Sequence, residues 1–273
     1  MRRSAFTLIE LLVVIAILVL LMAILLSVLS RCRQQAQTLR CRANIRGLLV
    51  ALHNYEAESQ SLPYGFDVTR RGMPPAGYQG YATFDTPGWW WFDFAKVVRY
   101  KSAKGPNLLY CPTSRLDDSK LDRDPLCGKY GVNRSLCKTR TGGKPYTEDF
   151  VGAPLSIAGL QHPGSTLLLV DAGYSLICWW QAAAEPPVVL QNLFIADTSY
   201  VPGLEINKGR NLWSGQRWDA IGGRHPNKTV NTGFADGHAE LKPARDLLVE
   251  KTKDAEYSNM ALWQGQQVSS QVP

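Results

Sequence analysis

Glu10 is the first residue of this chain that calls for a chemical explanation. It leads into a stretch, Leu11 to Leu26, that contains no polar side chain. A carboxylate in hydrocarbon is costly, and an intramembrane ionisable group is a functional feature by default. It is neutralised by a proton or by a positive charge packed alongside. A second set lies towards the other end: His225, then Asp236, Gly237 and His238. With Asp171 these side chains could ligate a metal, or they could simply shape a turn. Calcium wants six to eight oxygens, and carboxylates are sparse here. The third set is six cysteines at 32, 41, 111, 127, 137 and 178, without the Cys-x-x-Cys spacing of zinc ribbons or redox motifs. In an exported domain the four beyond the helical region allow three full pairings, of which Cys127 with Cys137 is the nearest in sequence. Buried free thiols are the alternative. No Gly-x-Ser-x-Gly, phosphate-binding loop, His-Glu-x-x-His or dinucleotide fingerprint occurs. His53, His162, His225 and His238 form no catalytic set by spacing, so the sequence predicts a protein that is not an enzyme.

The elements that must position these residues begin with the apolar run from Phe6 to about Leu29. It is longer than the roughly 7–15 residues of a secretory signal, and no small-residue cleavage site closes it. About 20 helical residues rising ~1.5 Å each cross a hydrocarbon core of ~30 Å, so residues 6–30 read as a single membrane helix. Arg31, Arg33, Arg40, Arg42 and Arg46 follow with no acid before Glu56. That cluster suits lipid headgroups, whereas the rest of the chain is near neutral and predicts no nucleic-acid partner. Over residues 31–60 the pattern stays helical but becomes amphipathic, with Ile45, Leu48, Leu49, Leu52 and Tyr55 forming one stripe towards a core. His53 reads as a residue of the polar face. Pro63 and Gly65 end the pattern, giving one helix of about 50 residues, ~75 Å long.

The remainder predicts a mixed domain. Residues 63–88 read as an irregular loop. Trp89-Trp90-Trp91-Phe92 begins an aromatic cluster, followed by a short helix to about Tyr100; such a cluster can be core, a subunit contact or a sugar-stacking platform. Leu108–Pro112 reads as a short strand, Tyr130–Asn133 as an extended piece, and Thr166–Val170 as a central strand buried on both faces. Ser175–Trp180 is expected to pair with that central strand as a hairpin. Thr229–Ala235 and His238–Leu241 flank Asp236-Gly237, a hairpin signal in which both turn residues take positive φ. After Asp246 comes a short helical pattern and a polar tail. The fold class is α+β: a long N-terminal membrane helix packed on an antiparallel-sheet domain.

The segment Ser4-Ala5-Phe6-Thr7-Leu8-Ile9-Glu10-Leu11-Leu12-Val13-Val14-Ile15-Ala16-Ile17 resembles the cleavage and N-methylation signal of type IV pilins and type II secretion pseudopilins. The resemblance implies a leader of residues 1–5, cut between Ala5 and Phe6 by a prepilin peptidase that methylates the new amine. Ala5 stands where the family usually has Gly. It also implies that Glu10, then the fifth residue, guides docking by pairing with the amine of a neighbouring subunit. Implied partners are the peptidase, other pilin-like subunits and the lipid bilayer. Cys41-Arg42-Ala43-Asn44-Ile45, Leu52-His53-Asn54-Tyr55, Cys111-Pro112 and Tyr130-Gly131-Val132-Asn133 resemble a pilin-like group with a C-terminal His-x9-Asp-Gly motif. His225 with Asp236-Gly237 resembles that motif with one residue inserted. Major pseudopilins carry calcium in this general region; otherwise no cofactor is implied. The domains are then 1–5, 6–30, 31–60, a globular domain over 61–245 and a C-terminal segment over 246–273. Charge counting around the membrane helix favours a domain kept inside, whereas the resemblance places it in the periplasm or outside, on a single-pass inner-membrane protein. The rival reading is a membrane-tethered glycan- or surface-binding protein that uses Trp89 and Trp90 and never polymerises.

Overall fold

The computed structural model describes residues 8–70, 88–97, 108–117, 126–140, 149–185, 199–254 and 256–265. The cut between Ala5 and Phe6, and the end of the helix predicted towards Tyr100, lie outside them. The first element, α1 (Leu8–Ser59), is one continuous helix of 52 residues, about 78 Å long at ~1.5 Å per residue. It ends where Gln60 turns to a left-handed φ of 60°, three residues before Pro63.

The helix has two halves with different surroundings. From Leu8 to Ala36 every residue is exposed, including the whole apolar run. From Thr38 onward one stripe is buried: Thr38, Cys41, Ile45, Leu48, Leu49 and Leu52. The predicted stripe is present, with Tyr55 half-buried and its ring edge-on to Phe94 at 6.1 Å. It starts about two turns earlier than the apolar pattern, because the side chains at 38 and 41 bury polar groups.

The stripe rests on a sheet. The strands are β1 (Phe66–Asp67), β2 (Trp89–Trp90), β3 (Tyr130–Asn133), β4 (Thr139–Arg140), β5 (Leu167–Asp171), β6 (Leu176–Ile177), β7 (Thr229–Phe234) and β8 (Ala239–Pro243). The main sheet runs β6-β3-β5-β7-β8, and β2-β1-β4 form a smaller one. In the main sheet β3, β5, β7 and β8 pair antiparallel in succession, while β6 joins β3 in parallel. As expected, β5 is central and buried throughout. A bulge between Leu167 and Leu169 lets Leu168 and Leu169 join the core under α1, while Leu167 and Val170 join the core on the opposite face. That second core contains Trp179 and Trp180 of a short helix (Trp179–Ala182), with Leu247 and Trp263 from the chain's C-terminal part. Trp263, on the final described helix, is fully buried and donates its indole N–H to Leu247 O at 3.1 Å. Leu247, Val249 and Trp263 thus tie the part after residue 246 to this second core.

Four sequence expectations need correction. Ser175–Trp180 does not form a hairpin with β5. The chain after β5 passes so close over Gly131 of β3 that a Cβ there would meet Tyr174 O at 2.7 Å. Leu176 and Ile177 consequently land on the far side of β3 and run parallel to it, and Trp179 begins a helix. Leu108–Pro112 is a turn, not a strand. Asn44 Nδ2 donates to Tyr110 O at 2.8 Å, and the segment places Leu109 and Cys111 in the core under α1. After Trp89–Trp90 the helix is only Trp91–Phe94 (α2), closed by Asp93 Oδ2 accepting Trp90 N–H. Finally, the hairpin between β7 and β8 forms as predicted, but only Gly237 of its Asp-Gly pair has positive φ, at 93°. Gly233 pairs with Ala239, and Gly237 N donates to Phe234 O. The turn is the longer kind, in which a glycine in the left-handed region follows a tight bend.

Candidate assembly site

From Leu8 to Leu29 the helix presents apolar side chains on all sides, a length of ~33 Å that matches a hydrocarbon core of ~30 Å. Two hydroxyls near its end return to the helix backbone: Ser27 Oγ donates to Ile24 O at 2.8 Å and Ser30 Oγ to Ser27 O at 2.9 Å. Polar groups satisfied in this way need no water in a bilayer. Glu10 lies in the first turn of the helix, where a carboxylate suits the positive end of the helix dipole. Arg31 and Arg33 mark the end of the apolar section and are exposed. Ala5 and Phe6 lie outside the described residues.

The set predicted around His225 divides into two unrelated places. Just before β7, His225 is buried, with Nε2 2.9 Å from Asp171 Oδ2 and Nδ1 3.0 Å from Thr38 Oγ1. Thr38 Oγ1 itself donates to Gln34 O, so it accepts from Nδ1–H. Nε2 also stands 2.7 Å from the Asn231 side-chain amide nitrogen, so it is the charge of Asp171, rather than the hydrogen-bond pattern at Nε2, that favours the protonated ring. Asn231 N–H donates to the same Asp171 oxygen at 2.6 Å. Burial disfavours charge on both partners, yet their mutual attraction and hydrogen bonds prevail: His225 is held above its ordinary pKa and Asp171 below its own. Asp236, Gly237 and His238 sit at the other end of β7, a strand of six residues or ~20 Å. There Asp236 Oδ1 accepts from His238 N at 3.1 Å and lies 2.6 Å from Nδ1 of the same residue. The His238 ring stacks on Phe234 at 4.4 Å.

The His-Asp-Gly spacing thus closes no single site. Among the described residues no group of three or more His, Cys, Asp or Glu side chains is arranged to hold a metal. His53 also differs from expectation. It is half-buried and faces the hairpin: a Cβ on Gly237 would stand 3.3 Å from its Nε2.

Cys127 and Cys137 are both buried thiols in the core under α1. The close pair is one that sequence spacing did not suggest. Cys41 Sγ on α1 lies 3.3 Å from Cys111 Sγ, and Thr113 Oγ1 is 3.2 Å from each. A second buried cluster also escaped the sequence reading. Arg224 makes a two-pronged ion pair with Asp219, both wholly buried, and its other donors reach Lys129 O and Ala172 O. Tyr200 Oη donates to Asp219 Oδ2 at 2.8 Å. These groups join the turn after β5 to the segment leading into β7. The Gly-Gly-Arg-His run at 222–225 was the only hint.

The aromatic cluster is core rather than platform. Trp90, Trp91 and Phe92 are buried, and Trp90 packs on Phe66 with ring centroids 4.5 Å apart. Trp89 is half-buried, with the Arg70 guanidinium 5.3 Å above its ring. Trp90 therefore has no face to offer a sugar.

An exposed apolar helix with one acid in its first turn, continuing as the spine of an α+β domain, defines a membrane-anchored protein with the layout of a pilin. The family of the prokaryotic N-terminal methylation motif matches residues 1–26. The chain thus carries a prepilin-type N-terminal segment, similar over these residues to that of type IV pilins and pseudopilins. No curated protein and no solved structure matches it.

Proposed function

We propose that this chain is a pilin- or pseudopilin-like subunit of a type IV pilus-like or type II secretion system. Prepilin peptidase removes Met1–Ala5 and methylates the amine of Phe6. The helix anchors the chain in the inner membrane with the domain outside, and then stacks against the helices of like subunits. Glu10 pairs with the amine of a neighbour, which balances its charge where helices pack in hydrocarbon. The supporting observation is that the methylation motif falls on the same residues as the wholly exposed apolar half of α1. Nothing among the described residues covers that surface. Helix packing between subunits would bury it, and the second half of α1 would carry the domain outward. Arg31 and Arg33 then sit at the outer headgroups, and Arg40, Arg42 and Arg46 follow farther out along the helix.

The test is co-fractionation with sheared filaments from cells that express the assembly apparatus. The unaltered chain is expected in the sheared fraction. Glu10→Ala should stay in the membrane, reduced at least tenfold in that fraction while equally abundant in whole cells. Equal shedding of both forms would remove the role given to Glu10.

A further inference from the structure

Of the six cysteines, two meet although they lie 70 residues apart. Cys41 is on the first buried turns of α1, where the helix leaves the membrane section and reaches the domain. Cys111 is on the 108–114 turn, which packs against that part of the helix. Both side chains are buried, and their sulfurs are 3.3 Å apart. Both are thiols in this structure, and a disulfide needs about 2.05 Å between sulfurs. Neighbouring contacts fix the two partners in register: Asn44, one helical turn beyond Cys41, donates to Tyr110 O at 2.8 Å and to Tyr130 Oη at 3.2 Å. The turn therefore meets the helix at the same place each time the domain folds.

From this geometry we propose that Cys41 and Cys111 form a disulfide that fastens α1 to the globular domain. The proposal rests on the exported orientation only for its oxidising surroundings. The chemistry is thiol–disulfide exchange during folding, before the helix and turn have closed over the sulfurs. Cys41 forms a mixed disulfide with the oxidised form of a dithiol oxidoreductase, whose first thiol leaves. Cys111 then attacks Cys41 Sγ as a thiolate, and the oxidoreductase leaves as its second thiol. Two electrons and two protons pass from the cysteine pair to the oxidant. The bond would hold the domain to the helix at the junction through which any pull on an assembled helix must pass. Of the other cysteines, Cys32 is exposed on the helix, and Cys127, Cys137 and Cys178 are buried thiols, as Cys41 and Cys111 are.

The test uses the full chain extracted in detergent from cell membranes, blocked with iodoacetamide in denaturant and digested with trypsin without reductant. The expected product is the Cys41-Arg42 dipeptide linked to the Gly105–Arg115 peptide, absent after reduction. A parallel sample is unfolded, reduced and refolded with oxidised glutathione, which supplies the same exchange and leaves as two reduced glutathiones. Linkage in both samples supports the proposal. Linkage only after refolding supports the pair and counts against the exported orientation. Two alkylated thiols in both samples, or either cysteine joined to another position, overturn it. Cys41→Ser and Cys111→Ser should each abolish the linked peptide, and their urea midpoints should equal that of the reduced unaltered chain.

Discussion

His225 shows how the site depends on charges the sequence did not connect. It reaches Thr38 across 187 residues and Asp171 across 54, and only the packing of α1 on the sheet brings these groups together. The folded pKa of His225 lies above its unfolded value near 6.5. Its contribution to stability is therefore complete below that value and is lost as the pH rises through the higher folded one. The folded pKa of Asp171 lies below 3.8, so its contribution is complete above 3.8 and lost as the pH falls through the lower folded one. Stability should hold level between those limits and decline above about pH 6.5. His225→Gln should cost ~3 kcal/mol, as breaking a buried pair from one side does, and should flatten the decline. Urea unfolding of the detergent-solubilised protein across this pH range measures both; an unchanged slope in the variant would place the titration elsewhere. Glu10, by contrast, was legible from sequence because a charge in an unbroken apolar run contrasts with everything near it. The Cys41–Cys111 pair was not, since cysteine spacing along a chain says nothing about which loops meet.

At the scale of elements, the sequence was most informative where one periodicity ran uninterrupted. The long helix, the buried β5 and the β7–β8 hairpin all appear where their patterns predicted. The failures fall on short apolar fragments of a few residues, such as 108–112 and 175–180, whose partners are decided by loop crossings rather than by local preference. Gly233 illustrates a requirement set by packing. A Cβ at that position on β7 would stand 2.8 Å from Ile45 Cγ2 and 2.8 Å from Leu49 Cδ1, so the glycine lets α1 lie directly on the sheet. Gly233→Ala should lower stability by about 1–3 kcal/mol through overpacking. The effect is read as a lower urea midpoint with an unchanged m value. A midpoint equal to that of the unaltered protein would mean that the helix is not seated on β7 as described.

At the scale of the whole molecule, the helix is one object with two tasks. From Leu11 to Leu26 its first half offers only apolar surface to its surroundings, and its second half is the spine on which the domain folds. The Arg31–Arg46 cluster begins at the change between them, on exposed or half-buried positions. Charge counting alone favours a domain kept inside, and the methylation motif over residues 1–26 is what argues for export. The whole account depends on processing at that motif. Mass spectrometry of the protein extracted from membranes of a strain with its prepilin peptidase tests this most directly. The expected N-terminus is N-methyl-Phe6, one methyl heavier than the bare cut chain and lacking Met1–Ala5. A chain that still begins at Met1 or Arg2 in that strain would contradict the central claim.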